Sequence, residues 1–471
     1  MILSIDCGST NHKVALYNER LQRLAVCTRP VTYTVRNAKR AEFEAEKIWQ
    51  DTVALIHQVC AMATVAPIQI KTITLAGQAQ TFTILNNAGR PIMPFISWMD
   101  KRAEAESVEL TRWLGNGFHR HCSFSAPAPQ LQLSKLLWLA RNHPARLKKA
   151  VVVVSLPGFL SFRLAGINGV DNNLAAMSGL YSMALGDWWP AALKAVGLRR
   201  GQLGNLVKIG AAVPAQSACR ELTFSPQLRI VFAGNDQTAG AYANAVRSVS
   251  LVLTLGTALV VYRYAGKTPG HYHGDCCWGP YPGGGYYELT TRDEGCAAFD
   301  WAIGQLMPGN EAGFMNQAES ASAGAAYFYP QRMRTKSAWI GSNNRAGRAR
   351  AVLEGVCFSA RQLMEDDLKI RPASAPIIVI GGGSQSGFWL QILANVLNCP
   401  VCRGEGDILL GAAMMARPGI TPPIRQSETV VMPDRRAVED YGRIYRAWRT
   451  QISFSSCLNK MTDKRKEGHK C

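Results

Sequence analysis

Hydrophobic and polar positions follow two different periods along the chain, and their succession predicts a mixed α/β fold. Apolar residues 1–5, a polar turn at residues 6–10 and a second apolar run at residues 14–17 together predict a β-hairpin. From residue 44 to residue 63 the apolar positions recur at helical spacing, and residues 68–75 then alternate as in a strand. Strands and helices therefore alternate from the start of the chain.

The rest of the chain continues this alternation. Further helices are predicted at residues 131–141, 188–196, 238–245, 349–367 and 388–397, and further strands at residues 151–154, 229–233, 250–255, 258–262 and 377–380. Residues 229–262 repeat the opening design of strand, glycine turn and strand, which predicts two similar α/β halves with the active site between them. Pro and Ser residues near positions 215–230 predict a loop, which suggests a domain boundary there. We expect domains at residues 1–228 and 229–455, followed by a mobile basic tail at residues 456–471.

Composition narrows the class of protein. Apolar residues make up 47% and charged residues 18% of the 471 positions, which excludes a long disordered, collagen-like or coiled-coil chain. The longest apolar stretches span about a dozen residues, fewer than the ~20 that a membrane span needs. The first residues lack the basic start and long apolar core of a secretory signal. The thirteen cysteines are scattered, as expected in a reducing compartment. We therefore expect a cytoplasmic protein.

Charge and cysteine spacing add little that is specific. The formal net charge of +19 favours anionic partners in general: a nucleotide, a phosphorylated product or nucleic acid. Cys399 and Cys402 form a Cys-x-x-Cys sequence without a second pair at zinc spacing. We expect a buried turn and strand there rather than a metal or redox site.

The tip of the N-terminal hairpin carries groups that suit a phosphate and its metal ion. Its sequence is Asp6-x-Gly8-Ser9-Thr10. A glycine lets the backbone approach a phosphate, while hydroxyls and amides donate hydrogen bonds to the phosphate oxygens. The carboxylate of Asp6 can hold Mg²⁺ directly or through water, and Lys13 adds a positive charge. The alternative is a polar turn without a ligand.

Two later glycine turns have a similar character. Gly256-Thr257 lies between two predicted strands, and Gly381-Gly382-Gly383 lies between a buried strand and a helix whose N-terminal amides can face an anion. Each turn also fits an ordinary loop. The chain has no Walker P-loop and no Gly-x-Gly-x-x-Gly after its first strand, so the two nucleotide-binding folds that use those motifs lose support.

A carboxylate follows the strand predicted at residues 229–233. Asp236 lies in the sequence Gly234-Asn235-Asp236-Gln237 and opens a helix of small residues. In phosphoryl transfer, a carboxylate at such a position can accept the proton of the substrate hydroxyl and orient the attacking oxygen. The alternative is that Asp236 caps the helix.

An aromatic residue and two opposite charges follow one another at a spacing of two, as Trp98-x-Asp100-x-Arg102. In an extended segment this spacing places all three side chains on one side. Such a face suits a polyhydroxylated ligand, which can stack on the indole and form bidentate hydrogen bonds. Gln78 lies earlier, at the end of a predicted strand. The alternative is an exposed salt bridge beside a core tryptophan.

These elements, in this order and over residues 1–450, resemble the FGGY family of carbohydrate kinases in the actin and hexokinase superfamily. The matching motifs are Asp6-x-Gly8-Ser9-Thr10, Gly77-Gln78, Trp98-x-Asp100-x-Arg102, Lys135-Leu136-x-Trp138-Leu139, Gly234-x-Asp236-Gln237-x-x-Gly240, Leu255-Gly256-Thr257, Leu353-Glu354-Gly355-Val356, Gly381-Gly382-Gly383-x-x-Ser386 and Leu410-Gly411-Ala412-Ala413. The resemblance implies two ribonuclease H-like (actin-like) α/β domains with an interdomain active-site cleft. It implies a sugar or polyol bound by the N-terminal domain and MgATP bound by the C-terminal domain.

The resemblance also implies residue roles. Asp236 would be the catalytic base that receives the hydroxyl proton as the ATP γ-phosphoryl group is transferred, and Asp6 would hold Mg²⁺. The implied substrate-binding residues are Gln78, Trp98, Asp100, Arg102 and Gln237. The implied ATP-binding residues are Gly8, Ser9, Thr10, Lys13, Gly256, Thr257, Gly381, Gly382 and Gly383. We expect no nucleic-acid partner and no membrane partner. Assembly into a homodimer is left open.

Departures from the family pattern concern the substrate. Ala79-Gln80 follow Gly77-Gln78, where glycerol kinases carry Arg-Glu and xylulose kinases usually carry Met-His. Glycerol is therefore disfavoured, and a ketose or polyol of open identity is expected. The alternative function is a catalytically silent protein of the same fold that senses a sugar or nucleotide.

Overall fold

The computed structural model of the protein describes residues 1–149, 151–244, 251–267, 276–335, 337–371, 375–404, 406–420 and 430–467. Within these ranges the strands, numbered β1 to β24 in chain order, are Ile2–Cys7, Asn11–Tyr17, Arg23–Pro30, Val35–Arg36, Ala41–Phe43, Thr72–Gly77, Phe82–Leu85, Phe95–Ile96, Val152–Ser155, Gly169–Asp171, Tyr181–Ser182, Asp187–Trp188, Asn205–Val207, Ala212–Pro214, Arg229–Asn235, Leu251–Leu255, Leu259–Gly266, Cys277–Pro280, Tyr286–Arg292, Ala326–Phe328, Trp339–Gly341, Ile377–Ile380, Val401–Arg403 and Val430–Val431. The helices, numbered α1 to α15, are Ala45–Ala63, Glu104–Leu114, Phe118–His121, Gln132–Asn142, Pro144–Lys148, Leu156–Ala165, Asn172–Ala176, Pro190–Val196, Asp236–Tyr242, Cys296–Leu306, Glu311–Ser320, Arg345–Gln362, Gly387–Leu397, Ile408–Met415 and Arg435–Glu467. None of the helices in these ranges combines the length and apolar character that a membrane span requires.

The chain forms two compact units, each assembled from separate stretches of sequence. Unit 1 comprises Met1–Ser248, Tyr262–Glu288 and Glu405–Gln426. Unit 2 comprises Val249–Val261, Leu289–Gly404 and Ser427–Cys471.

Unit 1 is organised around a six-stranded sheet with the strand order β14, β15, β6, β1, β2 and β3. Strands β15, β6 and β1 run parallel, whereas β1, β2 and β3 form antiparallel neighbours. Apolar side chains of β1, β2 and α1, such as Ile5, Leu16 and Leu55, are buried in its core. A second sheet, with the order β4, β5, β8, β7 and β9, lies in the same unit. The parallel part of the first sheet positions the candidate site.

Unit 2 contains the adjacent strands β16, β22, β23 and β24. Strands β16, β22 and β23 are parallel, and β24 is antiparallel to β23. Helices α12 and α13 pack together, and the indole Nε1–H of Trp389 in α13 donates to the carbonyl of Leu353 in α12 at 3.2 Å. Phe358 of α12 packs against Tyr445 and Trp448 of α15. Aromatic packing therefore fastens the last helix to this unit.

Unit 1 extends past residue 228, where the sequence pattern placed the boundary. Strand β15 joins the first sheet because it pairs in parallel with β6. Helix α14 also belongs to unit 1, since Ser4 Oγ donates to the carbonyl of Leu409 at 2.7 Å. Gly411 of α14 approaches α9 so closely that a Cβ atom there would lie 1.8 Å from the carbonyl oxygen of Ala239. Which ligand each unit binds stays a prediction.

Most elements predicted from the pattern are present with ends shifted by a few residues. The N-terminal hairpin is confirmed as the antiparallel pair β1 and β2. The strand predicted from residue 68 is wrong at its start, because Pro67–Gln69 form a short 3₁₀ helix and β6 begins at Thr72. Helix α15 runs to Glu467, so the segment predicted as a tail is helical that far, and residues 468–471 lie outside the described residues. Residues 245 and 250 of two predicted elements also lie outside them.

Candidate active site

Three parallel strands of unit 1 end at the same edge of the sheet. Because β1 pairs with β6 and β6 pairs with β15, the residues at their carboxyl ends are neighbours. Asp6 lies near the end of β1, Gln78 follows β6 and Asp236 follows β15. Ligands of open α/β sheets bind at the carboxyl ends of the strands. The fold therefore brings three of the predicted site residues to one edge.

Asp6 is a buried carboxylate with an incomplete set of partners. Its Oδ1 accepts no hydrogen bond from the described residues, and its Oδ2 lies 3.9 Å from Nζ of Lys13 on the neighbouring strand. The residue is 2% exposed. Burial, followed by the nearby charge of Asp236, raises the pKa of Asp6 to about 7, while Lys13 acts in the opposite direction. A buried carboxylate with one oxygen left without a hydrogen-bond partner is unfavourable, so a cation would complete this site.

The donor atoms at Asp6 fit Mg²⁺. This ion prefers oxygen ligands and is commonly held by one or two carboxylates together with substrate phosphates and water. Within the described ranges, no three or more His, Cys, Asp or Glu side chains group as metal ligands. The fit is therefore to an ion that takes Asp6 from the protein and its other ligands from phosphate and water.

Asp236 is presented by an irregular strand end. The register of β15 against β6 shifts between Phe232 and Asn235, where Gly234 has a φ of +73° that favours glycine. Asn235 caps α9, because its side-chain oxygen accepts from the Thr238 amide at 2.8 Å. The structure therefore assigns the cap to Asn235 and not to Asp236.

Asp236 is a partly exposed residue at the first position of α9. Its Oδ1 accepts from the backbone amide of Gln237 at 2.9 Å. Burial raises the pKa of Asp236, and the hydrogen bond from Gln237 opposes that rise. A carboxyl group with a raised pKa is a stronger proton acceptor than an ordinary aspartate.

The hairpin tip has a fixed backbone. Gly8 is required sterically, because a Cβ atom there would lie 2.6 Å from the carbonyl oxygen of Asn11. The hydroxyl of Tyr33 donates to the Ser9 carbonyl at 2.9 Å, and the amide of Val31 donates to the Thr10 carbonyl at 2.9 Å. The tip residues stand next to Asp6, and their contact with phosphate stays a prediction.

The side-chain amide of Gln78 forms hydrogen bonds through both its nitrogen and its oxygen. Its Nε2 donates to the carbonyl of Gly8 at 3.2 Å, and its Oε1 accepts from Thr81 Oγ1 at 2.8 Å. Two residues later Gln80 has a φ of +59°, which is uncommon for a residue with a side chain. Strained backbone of this kind clusters at functional sites.

The segment from Trp98 to Arg102 is a turn, so the prediction of an extended segment with three side chains on one side is wrong. The amide of Asp100 donates to the carbonyl of Ser97 at 3.1 Å, which closes the turn. Trp98 is 41% exposed, whereas Asp100 is completely buried. Asp100 accepts from the amides of Ala41 and Arg102 at 2.8 and 3.1 Å. The buried carboxylate thus organises the backbone instead of facing the same side as the indole.

Arg102 is held between two acids. Its guanidinium bonds to Asp100 at 2.6 Å and also to Glu42, and it lies 4.9 Å from the ring centre of Trp138. Burial would raise the pKa of Asp100, but the hydrogen bonds from Arg102 and Ala41 outweigh burial and lower it. The ion pair is buried, not exposed as the alternative interpretation proposed.

Sequence reasoning did not assign a role to Lys135. This lysine is completely buried and donates from Nζ to the carbonyls of Gln80 and Ser97, at 3.0 and 2.9 Å. Burial lowers its pKa to about 7, while Asp100 raises it. Lys135 therefore joins the two loops that carry Gln78 and Trp98. A basic residue within an amphipathic helix was the available signal, but its acceptors are distant in sequence.

In unit 2, the turn at Gly256 and Thr257 connects to the start of α10. The carbonyl of Gly256 accepts from the Cys296 amide at 2.6 Å, and that of Thr257 accepts from the Gly295 amide at 3.1 Å. Thr257 itself is exposed. The turn is thus anchored through its carbonyls.

The glycines that follow β22 have different environments. Gly381 has a φ of +95°, and a Cβ atom there would lie 2.5 Å from the carbonyl oxygen of Leu255. A Cβ atom on Gly382 would meet nothing within 4 Å, whereas Gly383 is buried against Trp389. Gly381 and Gly383 are therefore needed for packing within unit 2. Gly382 is exposed and free of this constraint, which suits an approaching ligand.

The Cys-x-x-Cys sequence has the environment predicted for it. Cys399 and Cys402 are buried, and Cys402 lies in strand β23. The expectation of a buried turn and strand is confirmed.

Comparisons with known proteins agree with the fold and the motifs. Residues 1–243 match the N-terminal domain of the FGGY family of carbohydrate kinases, and residues 251–417 match its C-terminal domain. The xylulose kinase of Escherichia coli is 27% identical over 90% of this chain and 90% of its own length. The glycerol kinase of Citrifermentans bemidjiense is 26% identical over 96% of this chain and 98% of its own.

Solved structures show the same architecture. The xylulose kinase of Lactobacillus acidophilus superposes with a TM-score of 0.87 at 19% identity, over 98% of this chain and 99% of its own. The predicted α/β fold of two actin-like domains is confirmed by this likeness. The two family models together span most of the sequence. The chain therefore belongs to the FGGY family of carbohydrate kinases, enzymes that transfer a phosphoryl group to an alcohol.

Proposed function

We propose that the protein transfers the γ-phosphoryl group of ATP to a hydroxyl group of an uncharged ketose or polyol, with Asp236 as the proton acceptor. The observation that carries this proposal is that two acids, Asp6 and Asp236, lie at the carboxyl ends of the parallel strands of one sheet. The two acids differ in environment. Asp6 is closed off from water, whereas Asp236 is partly exposed. We therefore assign the two acids separate roles, Asp6 as a metal ligand and Asp236 as the proton acceptor.

Asp236 has the properties of a general base. Its carboxylate is not used to cap α9, because Asn235 does so. Its raised pKa brings its basicity closer to neutral pH, where a proton acceptor works best. In the reaction the O–H bond of the substrate breaks and its proton passes to Asp236. The substrate oxygen forms the new bond to the γ phosphorus of ATP, while the bond between that phosphorus and the bridging oxygen breaks and ADP leaves.

Asp6 would hold Mg²⁺, which supplies neutralisation of the phosphate charge when it is bound. Lys13 lies on the strand beside Asp6 and contributes a positive charge at the same edge. The hairpin tip at Gly8, Ser9 and Thr10 would contact phosphate oxygens. The turns at Gly256-Thr257 and Gly381-Gly382-Gly383 would contact the nucleotide, with Gly382 supplying open space.

The charge of the predicted substrate residues favours an uncharged sugar. Arg102 is the cation in that set, and its guanidinium is already paired with Asp100 and Glu42. A sugar acid would need to displace one of these buried partners. The remaining substrate residues, Gln78, Trp98 and Gln237, offer amides and an indole, which suit hydroxyl groups and C–H faces.

The test is a screen for sugar-dependent ADP formation over pentuloses, hexuloses, tetritols and pentitols, with sugar acids as the anionic control. The variant Asp236→Asn keeps the shape of the side chain and removes the base, so we expect kcat to fall by about 10²–10⁴-fold. The variant Asp187→Asn changes a partly exposed carboxylate of strand β12 in unit 1 and serves as the matched control.

Three results would each contradict a part of the proposal. Equal turnover by the wild type and Asp236→Asn with every sugar would remove Asp236 from the reaction. Tight sugar or nucleotide binding by calorimetry, with no phosphorylated product, would instead favour a catalytically silent sensor. Faster turnover of a sugar acid than of every neutral sugar would contradict the substrate class.

A further inference from the structure

Asn173 in α7 uses all of its side-chain hydrogen-bonding capacity on the backbone and side chains around Asp236. Its Oδ1 accepts from the amide nitrogen of Asn235 at 3.0 Å and from the side-chain Nδ2 of Asn235 at 2.7 Å. Its Nδ2 donates to Thr238 Oγ1 at 3.2 Å and to the carbonyl of Pro280 at 2.8 Å. The residue is completely buried. An asparagine side chain offers two donors and two acceptor sites, and all four are occupied here.

The partners of Asn173 flank the proton acceptor on both sides. Asn235 precedes Asp236 and caps its helix, and Thr238 lies in the first turn of that helix. Thr238 Oγ1 also accepts from the hydroxyl of Tyr262 at 3.1 Å. The third partner, Pro280, ends strand β18. One side chain therefore ties the start of α9 to α7 and β18.

The backbone between these partners lacks regular support. The ladder between β15 and β6 is interrupted between Phe232 and Asn235. Gly234 has a positive φ, and a Cβ atom there would lie 2.8 Å from Oδ1 of Asn173. The glycine thus allows the close approach of Asn173. Asn173 therefore holds the backbone in the segment where the hydrogen bonds of the sheet are interrupted.

We infer that Asn173 is a positioning residue for Asp236, which holds the strand end and the first turn of α9 so that the carboxylate meets the substrate hydroxyl. This inference rests on the proposed role of Asp236 as the base. Asn173 does not touch the reacting atoms and acts through Asn235 and Thr238. Its effect is therefore expected on the chemical step and not on nucleotide binding.

The test compares Asn173→Ala with Asn172→Ala in steady-state kinetics of the full-length enzyme with its best sugar. Asn172 is the adjacent residue of the same helix, and its Oδ1 accepts from the Ile209 amide at 2.9 Å and not from Asn235. We expect Asn173→Ala to lower kcat on the order of 10²-fold, because a small displacement of a reacting group has that cost, with the KM for ATP unchanged. Asn172→Ala should keep kcat within about twofold of the wild type.

A second variant distinguishes the loss of a hydrogen bond from the loss of folded protein. Thr238→Val preserves side-chain shape and removes one acceptor of Asn173, so kcat should again fall while the thermal midpoint stays above the assay temperature. A loss of kcat in proportion to the unfolded fraction, or an equal rise in both KM values, would overturn the positioning role. Asp236→Asn is measured in parallel. If Asp236→Asn is inactive and Asn173→Ala has normal kcat, the positioning role fails alone, and if Asp236→Asn is active, the proposed function fails.

Discussion

Replacing Asp6 by asparagine removes a buried charge and should make the protein more stable at alkaline pH while it abolishes catalysis. The side chain keeps its size, and the unpaired Oδ1 of Asp6 is no longer ionised. In the folded protein the pKa of Asp6 is raised from 3.8 to about 7, first by burial and then by Asp236. The folded state therefore holds its proton more tightly than the unfolded state does.

The sign of the pH dependence follows from this difference. Between about pH 4 and pH 7 the unfolded chain loses the proton while the folded protein keeps it, so the stability of the wild type falls as the pH rises. A pKa difference of about 3 corresponds to about 4 kcal/mol of unfolding free energy, complete above pH 7. The asparagine side chain does not titrate, so the variant does not lose this unfolding free energy as the pH rises. Its advantage over the wild type should therefore grow by about 4 kcal/mol between about pH 4 and about pH 8.

The assay is urea unfolding without Mg²⁺ or nucleotide, together with hydrogen exchange at the amides of β1, since a two-domain protein need not unfold in one transition. The matched control is Asp187→Asn. The hydrogen bond from Arg200 lowers the pKa of Asp187, so the stability that this carboxylate adds is gained at pH values below about 4, and the relative stability of Asp187→Asn should stay nearly constant between about pH 4 and about pH 8. An Asp6→Asn advantage that is the same at both pH values, or reversed, would refute the account of Asp6 as a charge waiting for a cation.

Three further predictions follow from the contacts of the site. Arg102→Ala leaves Asp100 and Glu42 buried without their cation, and it should destabilise the protein by about 3–5 kcal/mol in urea unfolding; a loss under about 1 kcal/mol would contradict the buried pair. Lys135→Met removes the donors to Gln80 and Ser97, so the KM for sugar should rise while the KM for ATP stays constant. Burial lowers the pKa of Lys135 in the folded protein to about 7. Between about pH 7 and about pH 10 the folded protein has lost this proton while the unfolded chain keeps it, so the stability of the wild type rises with pH. The destabilisation caused by Lys135→Met should therefore grow over that range. Gly381→Ala should lower the thermal midpoint strongly because its Cβ would meet the Leu255 carbonyl at 2.5 Å, whereas Gly382→Ala should fold normally and weaken only ATP binding; equal effects of the two would remove Gly382 from the nucleotide site.

Local pattern was sufficient where a residue's neighbours in sequence are also its neighbours in space. The N-terminal hairpin was predictable because apolar and polar residues alternate around a short polar turn, and Asp6 then faces Lys13 across the ladder. The place of Asp236 between a strand and a helix was predictable for a similar reason, since a strand, a glycine and a helix of small residues follow one another directly.

The pattern failed where distant residues decide the local conformation. Spacing alone suggested an extended segment at residues 98–102, but Asp100 accepts from the Ala41 amide, nearly sixty residues away, and turns the chain. The contacts of Lys135 and Asn173 were equally hidden, because their partners lie in other elements. The place of β15 beside β6 was hidden for the same reason, because their pairing is a tertiary contact.

The most direct test of the central claim is to identify the products when the wild type and Asp236→Asn are incubated with MgATP and the sugar that supports the fastest turnover. The account predicts one equivalent of sugar phosphate for each ADP from the wild type, and almost none from Asp236→Asn at unchanged ATP affinity. Release of inorganic phosphate without sugar phosphate, or equal yields from both proteins, would contradict it.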